Sequence, residues 1–179
     1  TEKYGHNCNK QVWGLWADNN RQIWLGGEGE LGIYKEGKEI EIIPLNQCRL
    51  NKQTHISVIH QDKHGDLWLG TKHGVAIYHP DTKRITCIGD DKDGSLDILC
   101  FYEDTDGKIW IGTQSGLYSA YNRELTQEDK INRLLTNKGI RSILRDKNGK
   151  LWIGAKGLFL FDDKGQLFQE LTTEQSFPI

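Results

Sequence analysis

A tryptophan recurs along this chain in a fixed frame, and that frame leaves few folds open. Trp24, Trp68, Trp110 and Trp152 stand 44, 42 and 42 residues apart. An aspartate lies six residues before each (Asp18, Asp62, Asp104, Asp146) and a glycine two residues after each (Gly26, Gly70, Gly112, Gly154). The surrounding segments repeat as well: "LWADNNRQIWLGG" returns as "IHQDKHGDLWLGT", "FYEDTDGKIWIGT" and "ILRDKNGKLWIGA". A period of this length marks one supersecondary unit copied along the chain, whose apolar faces are buried only by stacking on its neighbours.

Inside each unit the periodicity is that of strands. The second copy reads as a strand from Ile56 to Gln61, a turn from Asp62 to Gly65, and a strand from Leu67 to Thr71. Strands from Gly74 to Tyr78 and from Arg84 to Ile88 follow, with Pro80-Asp81 turning the chain between them. The runs are short, β-branched and aromatic, and Gly, Asp, Asn or Pro breaks each one. Four strands in about 42 residues is the dimension of a propeller blade. The expected fold class is all-β: four consecutive four-stranded antiparallel blades, at about 8–45, 50–90, 95–137 and 138–173, forming part of a larger β-propeller.

Each fixed position has a physical role. The aspartate of the D-x-x-G turn accepts bonds from the amides that follow it, and the glycine supplies positive φ. The tryptophan buries a large ring between neighbouring blades, and the glycine after it allows close backbone approach. Val12, Ile56, Ile98 and Ile140 fill the first strands, helped by Leu15, Ile59, Phe101 and Ile143. Arg21 replaces the turn glycine in the first copy, which predicts a different turn type there. The third copy lacks a clean fourth strand: Asn122 to Lys138 is long, polar and compatible with a helical turn or two, so an insertion is expected.

The pattern D-x-x-G-x-[LI]-W-[LI]-G-T-x-x-G-[LV] resembles the two-component regulator propeller repeat. "DLWLGTKHGVAIY" (Asp66 to Tyr78) and "KIWIGTQSGLYSAY" (Lys108 to Tyr121) carry the likeness best. Gly27 and Ala155 in place of threonine, and Glu30 in place of the second glycine, are the departures. The resemblance implies the periplasmic sensor of a hybrid histidine kinase, one that responds to oligosaccharides from complex glycans. It also implies a ring of about seven blades, of which this chain supplies four or which another copy completes.

Charge and cysteine content narrow the function classes. Lys and Arg number 23 against 25 Asp and Glu, dispersed through polar turns, so no basic field for nucleic acid is present. No apolar stretch approaches the roughly 18 residues of a membrane span, and no membrane contact is expected of this segment. The sequence has no Met and no signal-peptide pattern, so it is expected to be a processed product or a piece of something longer. Cys8, Cys48, Cys87 and Cys100 form no C-x-x-C pair. They permit disulfides without requiring them, and Cys100, standing where other copies have Gly14, Val58 and Ser142, reads as a small core filler.

Candidate chemistry is weighed against turn and surface roles. Asp104-Thr105-Asp106-Gly107 and Asp146-Lys147-Asn148-Gly149 begin like calcium loops, but their twelfth positions are Ser115 and Gly157 rather than a bidentate Glu. Hairpin turns explain them better. The acidic loop from Asp90 to Gly94, with Asp97 beyond, has more oxygen ligands, yet solvated inter-blade loops share that look. Five of six histidines (His55, His60, His64, His73, His79) fall in the second copy, but strand parity and turn positions scatter them. No metal and no cofactor is expected, and catalytic residues are assigned to none.

In a propeller the loop after the second strand and the loop leading into the first share one end of the blade. That end collects Gln11, Trp13, Glu28, Glu30, His55, Lys72, His73, Asp97, Gln114, Arg141 and Lys156. These positions vary between copies, whereas the core positions repeat. Trp13 stands where the others have Ser57, Leu99 and Arg141. An exposed indole beside polar edges suits a sugar ring, although the same ring would also serve to pack a further blade. The first reading is therefore a ligand-sensing segment of a kinase, with the rest of that parent and an oligosaccharide as partners, and with self-association through open blade faces. The alternatives are a scaffold for protein–protein contacts and, third, a propeller lyase or glycosidase. For the last, Glu28 and Glu30 are the carboxylates that break the repeat symmetry.

Overall fold

The computed structural model describes residues 11–46, 54–88, 96–121, 124–127, 135, 138–162 and 166–171. Sixteen strands build four antiparallel four-stranded sheets, each in simple meander order. The first blade holds β1 (Gly14–Ala17), β2 (Gln22–Gly26), β3 (Glu30–Lys35) and β4 (Glu41–Pro44), and the second holds β5 (Ile56–Gln61), β6 (Leu67–Thr71), β7 (Gly74–His79) and β8 (Arg84–Ile88). The third runs through β9 (Ile98–Glu103), β10 (Ile109–Thr113), β11 (Leu117–Tyr121) and β12 (Glu124–Gln127), and the fourth through β13 (Ser142–Arg145), β14 (Leu151–Ala155), β15 (Gly157–Phe161) and β16 (Leu167–Leu171). Two compact units result, Thr1–Gly94 with the first two blades and Ser95–Ile179 with the last two.

Pairing register decides which side chains meet. Trp24 lies opposite Trp16 on β1 and Ile33 on β3, so these three share one face of the first blade. That face packs on Ile59, Leu67, Leu69 and Tyr78 of the second blade. The second unit repeats the arrangement, with Trp110 and Tyr102 of the third blade against Ile143, Leu151, Ile153 and Phe161 of the fourth. Each fully buried aliphatic or aromatic side chain contributes about 1.5–3 kcal/mol, so the inter-blade layer dominates each unit's stability. Trp24, Trp68 and Trp110 are buried, but Trp152 is only half-buried. The other sheet of its unit packs on the opposite face of the fourth blade, which leaves the Trp152 face without that cover.

The repeated aspartate does more than shape its turn. Asp62 Oδ1 accepts from the His64 and Asp66 amides at 2.9 and 3.0 Å, while Oδ2 accepts from the Trp68 indole at 2.9 Å. The same indole bond recurs as Trp24 to Asp18 at 3.1 Å, Trp110 to Asp104 at 3.0 Å and Trp152 to Asp146 at 2.9 Å. One carboxylate thus fixes both a hairpin and the orientation of the tryptophan ring, which for Trp24 and Trp110 is the ring that the next blade of the same unit covers. The repeat glycine works at the interface: a Cβ on Gly26 would lie 2.5 Å from the Ile56 carbonyl oxygen, and one on Gly112 2.6 Å from that of Ile140. Cys100 sits opposite Gly112 as Gly14, Val58 and Ser142 sit opposite Gly26, Gly70 and Gly154. Burial pushes its thiol up to about 12, although the Gly112 backbone works against the rise.

Two expectations are corrected. Arg21 does not change the turn type: it takes φ +59°, in the same left-handed region as Gly65, Gly107 and Gly149. It also makes the same return bond, its amide donating to the Asp18 carbonyl at 3.3 Å as Gly65 donates to Asp62 at 2.9 Å. The turn's bonding to Asp18 outweighs the side chain's preference. The third blade does have a fourth strand, since β12 pairs with β11 from Tyr118↔Gln127 to Tyr121↔Glu124. An outermost strand is held by backbone bonds along one edge and needs little apolar patterning, which is why its composition hid it. Most of the segment expected to be helical lies outside the described residues, but Leu135 within it is buried in the second unit's core.

Candidate ligand-binding face

In the first unit the end of the blades opposite the Asp–Trp turns gathers several of the singled-out residues. Trp13 extends β1 by donating its amide to the Gly26 carbonyl at 2.8 Å. Its side chain is 49% exposed and lies on the His55 ring, with centroids 4.6 Å apart and planes inclined by 35°. His55 is fixed from below. It forms an antiparallel bridge with Glu28, the Gly29 amide donates to the Thr54 carbonyl at 2.8 Å, and the Ile56 amide donates to the Gly27 carbonyl at 3.1 Å. The loop between β2 and β3 of one blade therefore holds the entry to the next. Glu28 is exposed beside this pair, and Glu30 begins β3, its carbonyl accepting from the Gly27 amide at 3.0 Å. Thr54 was not anticipated: it is buried, and its hydroxyl has no hydrogen-bond partner among the described residues.

Lys72 and His73 form the turn between β6 and β7. The Ile56↔Thr71 pairing sets that turn at the end where His55 leads into the second blade. Thr71 shapes it, its hydroxyl donating to the Gly74 carbonyl at 2.8 Å and accepting from the His73 amide at 3.1 Å. Thr113 holds the Gln114–Ser115 turn in the same way, which explains the threonine after Gly70 and Gly112. Gly27 and Ala155 lack that hydroxyl, and backbone pairing closes their turns.

The second unit brings together a different set. The Gln114 amide donates to the Asp97 carbonyl at 2.9 Å, the Ile140 amide donates to the Thr113 carbonyl at 2.9 Å, and the Arg141 amide donates to the Gly154 carbonyl at 2.8 Å. The Gln114 side chain lies over Gly139, where a Cβ would stand 3.0 Å from Oε1. Gln114, Arg141 and Lys156 are exposed, and Asp97 is half-buried. Trp13 and Arg141 hold the same backbone place, each donating to the motif glycine's carbonyl. One unit thus offers an aromatic surface there and the other a cation.

The remaining histidines are used otherwise. His79 Nδ1 meets Asp66 Oδ1 at 2.8 Å and its Nε2 meets Thr86 Oγ1 at 3.0 Å, which ties the outer strands of the second blade together. His60 makes an edge contact with Trp16 at 5.4 Å, and His64 is an exposed turn residue. Among the described residues no group of three or more His, Cys, Asp or Glu is arranged to hold a metal ion. The loop from Asp90 to Gly94 lies outside the described residues. At Asp146, Oδ1 is taken by the Asn148 and Lys150 amides and Oδ2 by the Trp152 indole. The turn's own donors thus occupy the oxygens that the calcium reading required. Cys87 is disulfide-bonded.

Comparison with known proteins adds a lineage to this geometry. The two-component regulator propeller profile matches residues 52–73, 94–115 and 134–157, the entry, first two strands and following turn of the second, third and fourth blades. The first blade, with Arg21, Gly27 and Glu30, lies outside the match. No curated protein matches the chain. Among solved structures, the extracellular domain of a protein assigned as a hybrid two-component system from B. thetaiotaomicron is 29% identical over 96% of this chain, with a TM-score of 0.77. The chain spans 24% of that relative's length. A virginiamycin B lyase from Staphylococcus aureus superposes over 97% of this chain and 60% of its own with a TM-score of 0.73, at 13% identity. That likeness is one of fold alone. No described helix is long and apolar enough to cross a membrane.

Proposed function

Because the chain carries two-component regulator propeller repeats, we propose that it is a ligand-sensing segment of a hybrid two-component sensor kinase, located in the periplasm and responding to oligosaccharides. The observation that carries this reading is the exposed Trp13 ring held on His55 with Glu28 alongside. A flat apolar ring rimmed by a carboxylate and an imidazole matches the alternating apolar faces and hydroxyl edges of a sugar. The disulfide at Cys87 fits an oxidising compartment, and the 29%-identical relative is an extracellular domain. On this reading the segment binds its ligand without turning it over, and the aspartates of the Asp–Trp turns are engaged by their own hairpins at the other end of the blades.

Titration calorimetry of the 179-residue chain against a panel of oligosaccharides, with the recovered ligand analysed by mass spectrometry, tests this. One member should bind and be recovered intact. Trp13→Ala should weaken it by about tenfold or more, where each decade is roughly 1.4 kcal/mol, with an unchanged unfolding midpoint. Equal affinity in Trp13→Ala, or a cleaved ligand, would overturn the reading.

A further inference from the structure

The first strand of every blade brings an extra residue opposite the motif glycine. In the second blade the register shifts between Ile56 and Val58, which leaves Ser57 outside the pairing. In the third, Gly112 pairs with Cys100 and Thr113 with Ile98, which leaves Leu99 outside it. In the first and fourth blades Gly14 and Ser142 are the glycine's partners, yet the amides of Trp13 and Arg141 also donate to that glycine's carbonyl. Two residues against one is a β-bulge, which breaks the in-and-out alternation and re-aims a side chain. Just before it, Ile56, Ile98 and Ile140 are buried, whereas the extra residue is half-buried at Leu99 and exposed at Trp13, Ser57 and Arg141. The backbone repeats, and the side chain that it presents does not.

In the fourth blade the bulge presents a cation, and a second cation stands beside it. The Ser142↔Gly154 and Ala155↔Gly157 pairings put Lys156 at the tip of the β14–β15 turn, at the end of the hairpin where Arg141 leads into β13. Both side chains are exposed, and neither makes an ion pair among the described residues. Lys138, by contrast, meets Glu170 Oε1 at 3.3 Å and lies over the Phe159 ring, and Arg145 binds Asp104. The third blade adds an amide to this end. Gln114 follows Thr113, whose carbonyl accepts from the Ile140 amide at 2.9 Å, and its side chain lies over Gly139. Of the described carboxylates nearby, Glu170 is held by Lys138 and Asp97 is half-buried. Neighbouring like charges destabilise a hairpin, and an anion lying between them relieves that repulsion.

We propose that Arg141 and Lys156, with the Gln114 amide beside them, form a subsite for an anionic substituent of the ligand, a carboxylate or a sulfate ester. The guanidinium is a planar fork of donors that matches two oxygens of either group, the ammonium is a compact charge, and the primary amide is a neutral donor. Where the aromatic bulge residue of the first blade selects a flat apolar face, this one selects charge. That the anion is carried on a sugar rests on the reading proposed above, while the anion contact itself stands on the second unit alone.

Backbone-amide NMR of the 179-residue chain, titrated with glucuronate, with inorganic sulfate and with glucose as the neutral control, tests the subsite without a complete ligand. At least one anion should give saturable shifts at Arg141, Lys156 and Gln114, with a dissociation constant of about 1–10 mM, and glucose should give none. The tighter of the two anions separates a carboxylate from a sulfate ester. Affinity should fall as salt rises from about 0.05 to 0.3 M. Arg141→Gln and Lys156→Gln should each weaken binding by about threefold to tenfold, and without anion neither should melt below the wild type, since each removes a repulsion. Shifts absent from these three amides, or affinities unchanged in both variants, would overturn the proposal. Neutral oligosaccharides bound in calorimetry would then leave the sensing reading intact. Anion binding at these amides with no oligosaccharide bound would instead sink that reading and leave the subsite standing.

Discussion

Arg145, on the first strand of the fourth blade, donates through Nε to Asp104 Oδ2 of the third blade at 2.7 Å. Asp104 also accepts from the Trp110 indole at 3.0 Å and from the Thr105 amide at 2.9 Å. The Arg145 guanidinium stands 6.0 Å from the centre of the Trp110 ring, and Nη1 donates to the Gly149 carbonyl at 2.6 Å. A single arginine thus ties two blades and closes its own hairpin. In the first unit the comparable bond is local: Gln22 Nε2 donates to Asp18 Oδ2 at 2.8 Å, while Gln61, in Arg145's register position, donates within its own turn to the Gly65 carbonyl at 3.2 Å.

Removing either partner of this tie should therefore cost more than removing its counterparts. Asp104 is 8% exposed, and loss of a hydrogen bond to a charged group is worth about 1.5–3 kcal/mol. Arg145→Ala is expected to fall in that range. Asp104→Ala strands the Trp110 indole and the guanidinium together, and is expected to reach about 3–5 kcal/mol. Gln61→Ala should cost under about 1 kcal/mol. Urea unfolding curves rank the three, and an Arg145→Ala midpoint equal to that of Gln61→Ala would refute the inter-blade role.

The same carboxylates set an acid limit. Burial works to raise Asp18, but the Gln22 amide, the Trp24 indole and the Asn20 amide outweigh it and hold the group below the usual carboxylate range. At Asp104, burial is likewise overcome by the Trp110 indole and by Arg145. At Asp146 the Trp152 indole leads, joined by the Lys150 and Asn148 amides, against desolvation. A folded-state pKa below the unfolded one, about 3.9 for Asp, means stability fully present above that value and lost as pH falls through the folded pKa. Urea midpoints should be unaffected by these groups between neutrality and about pH 5 and should drop below about pH 4. Asp104→Asn should flatten that drop. A variant with the wild-type acid slope would show that other groups control it.

Sequence repetition carried the blade count and the strand order because the apolar layer between blades requires the same residues at the same phase. The aspartate's second bond was not read, since Asp18 and Trp24 are six residues apart and meet only once the hairpin is closed. A spacing that never varies was the available signal. The third blade's fourth strand lacked a clean signal for the opposite reason, since it shows itself in the backbone register with β11. At the candidate face, position along the repeat placed Trp13 and His55 at one end, but their ring contact depends on the Glu28 bridge, which no local pattern encodes.

Arg21 offers a direct measure of turn strain. A residue with a Cβ at φ +59° gives up about 1–2 kcal/mol relative to the right-handed region. Arg21→Gly removes that strain but frees the unfolded chain, so a net gain of about 0.5–1 kcal/mol is expected. Gly65→Ala, the reverse change at the equivalent turn with φ +89°, should lose about 1 kcal/mol or more. Thermal unfolding of both variants checks the pair. An Arg21→Gly chain less stable than wild type would mean that the arginine side chain supports the turn by a contact of its own.

The last prediction separates glycines that face a neighbouring blade from one that does not. A methyl on Gly26 would meet the Ile56 carbonyl oxygen at 2.5 Å, and one on Gly112 the Ile140 carbonyl oxygen at 2.6 Å and Cys100 Sγ at 2.5 Å. Both carbonyls belong to the first-strand region of the next blade, so relief requires moving a whole sheet. Overpacking of that kind costs about 1–3 kcal/mol or more, and Gly26→Ala and Gly112→Ala are expected at the upper end. Cys100→Ala should not rescue Gly112→Ala, because the Ile140 carbonyl remains in the way. At Gly154 the nearest obstacle is the Ser142 hydroxyl of its own blade, the end of a short side chain that turns aside by rotating about χ1. Gly154→Ala should cost under about 1 kcal/mol, and chemical unfolding of the three single variants and the Cys100→Ala/Gly112→Ala double variant orders them. Equal losses at Gly112 and Gly154 would mean that crowding within a blade, rather than the approach of the next one, fixes glycine at this position of the repeat.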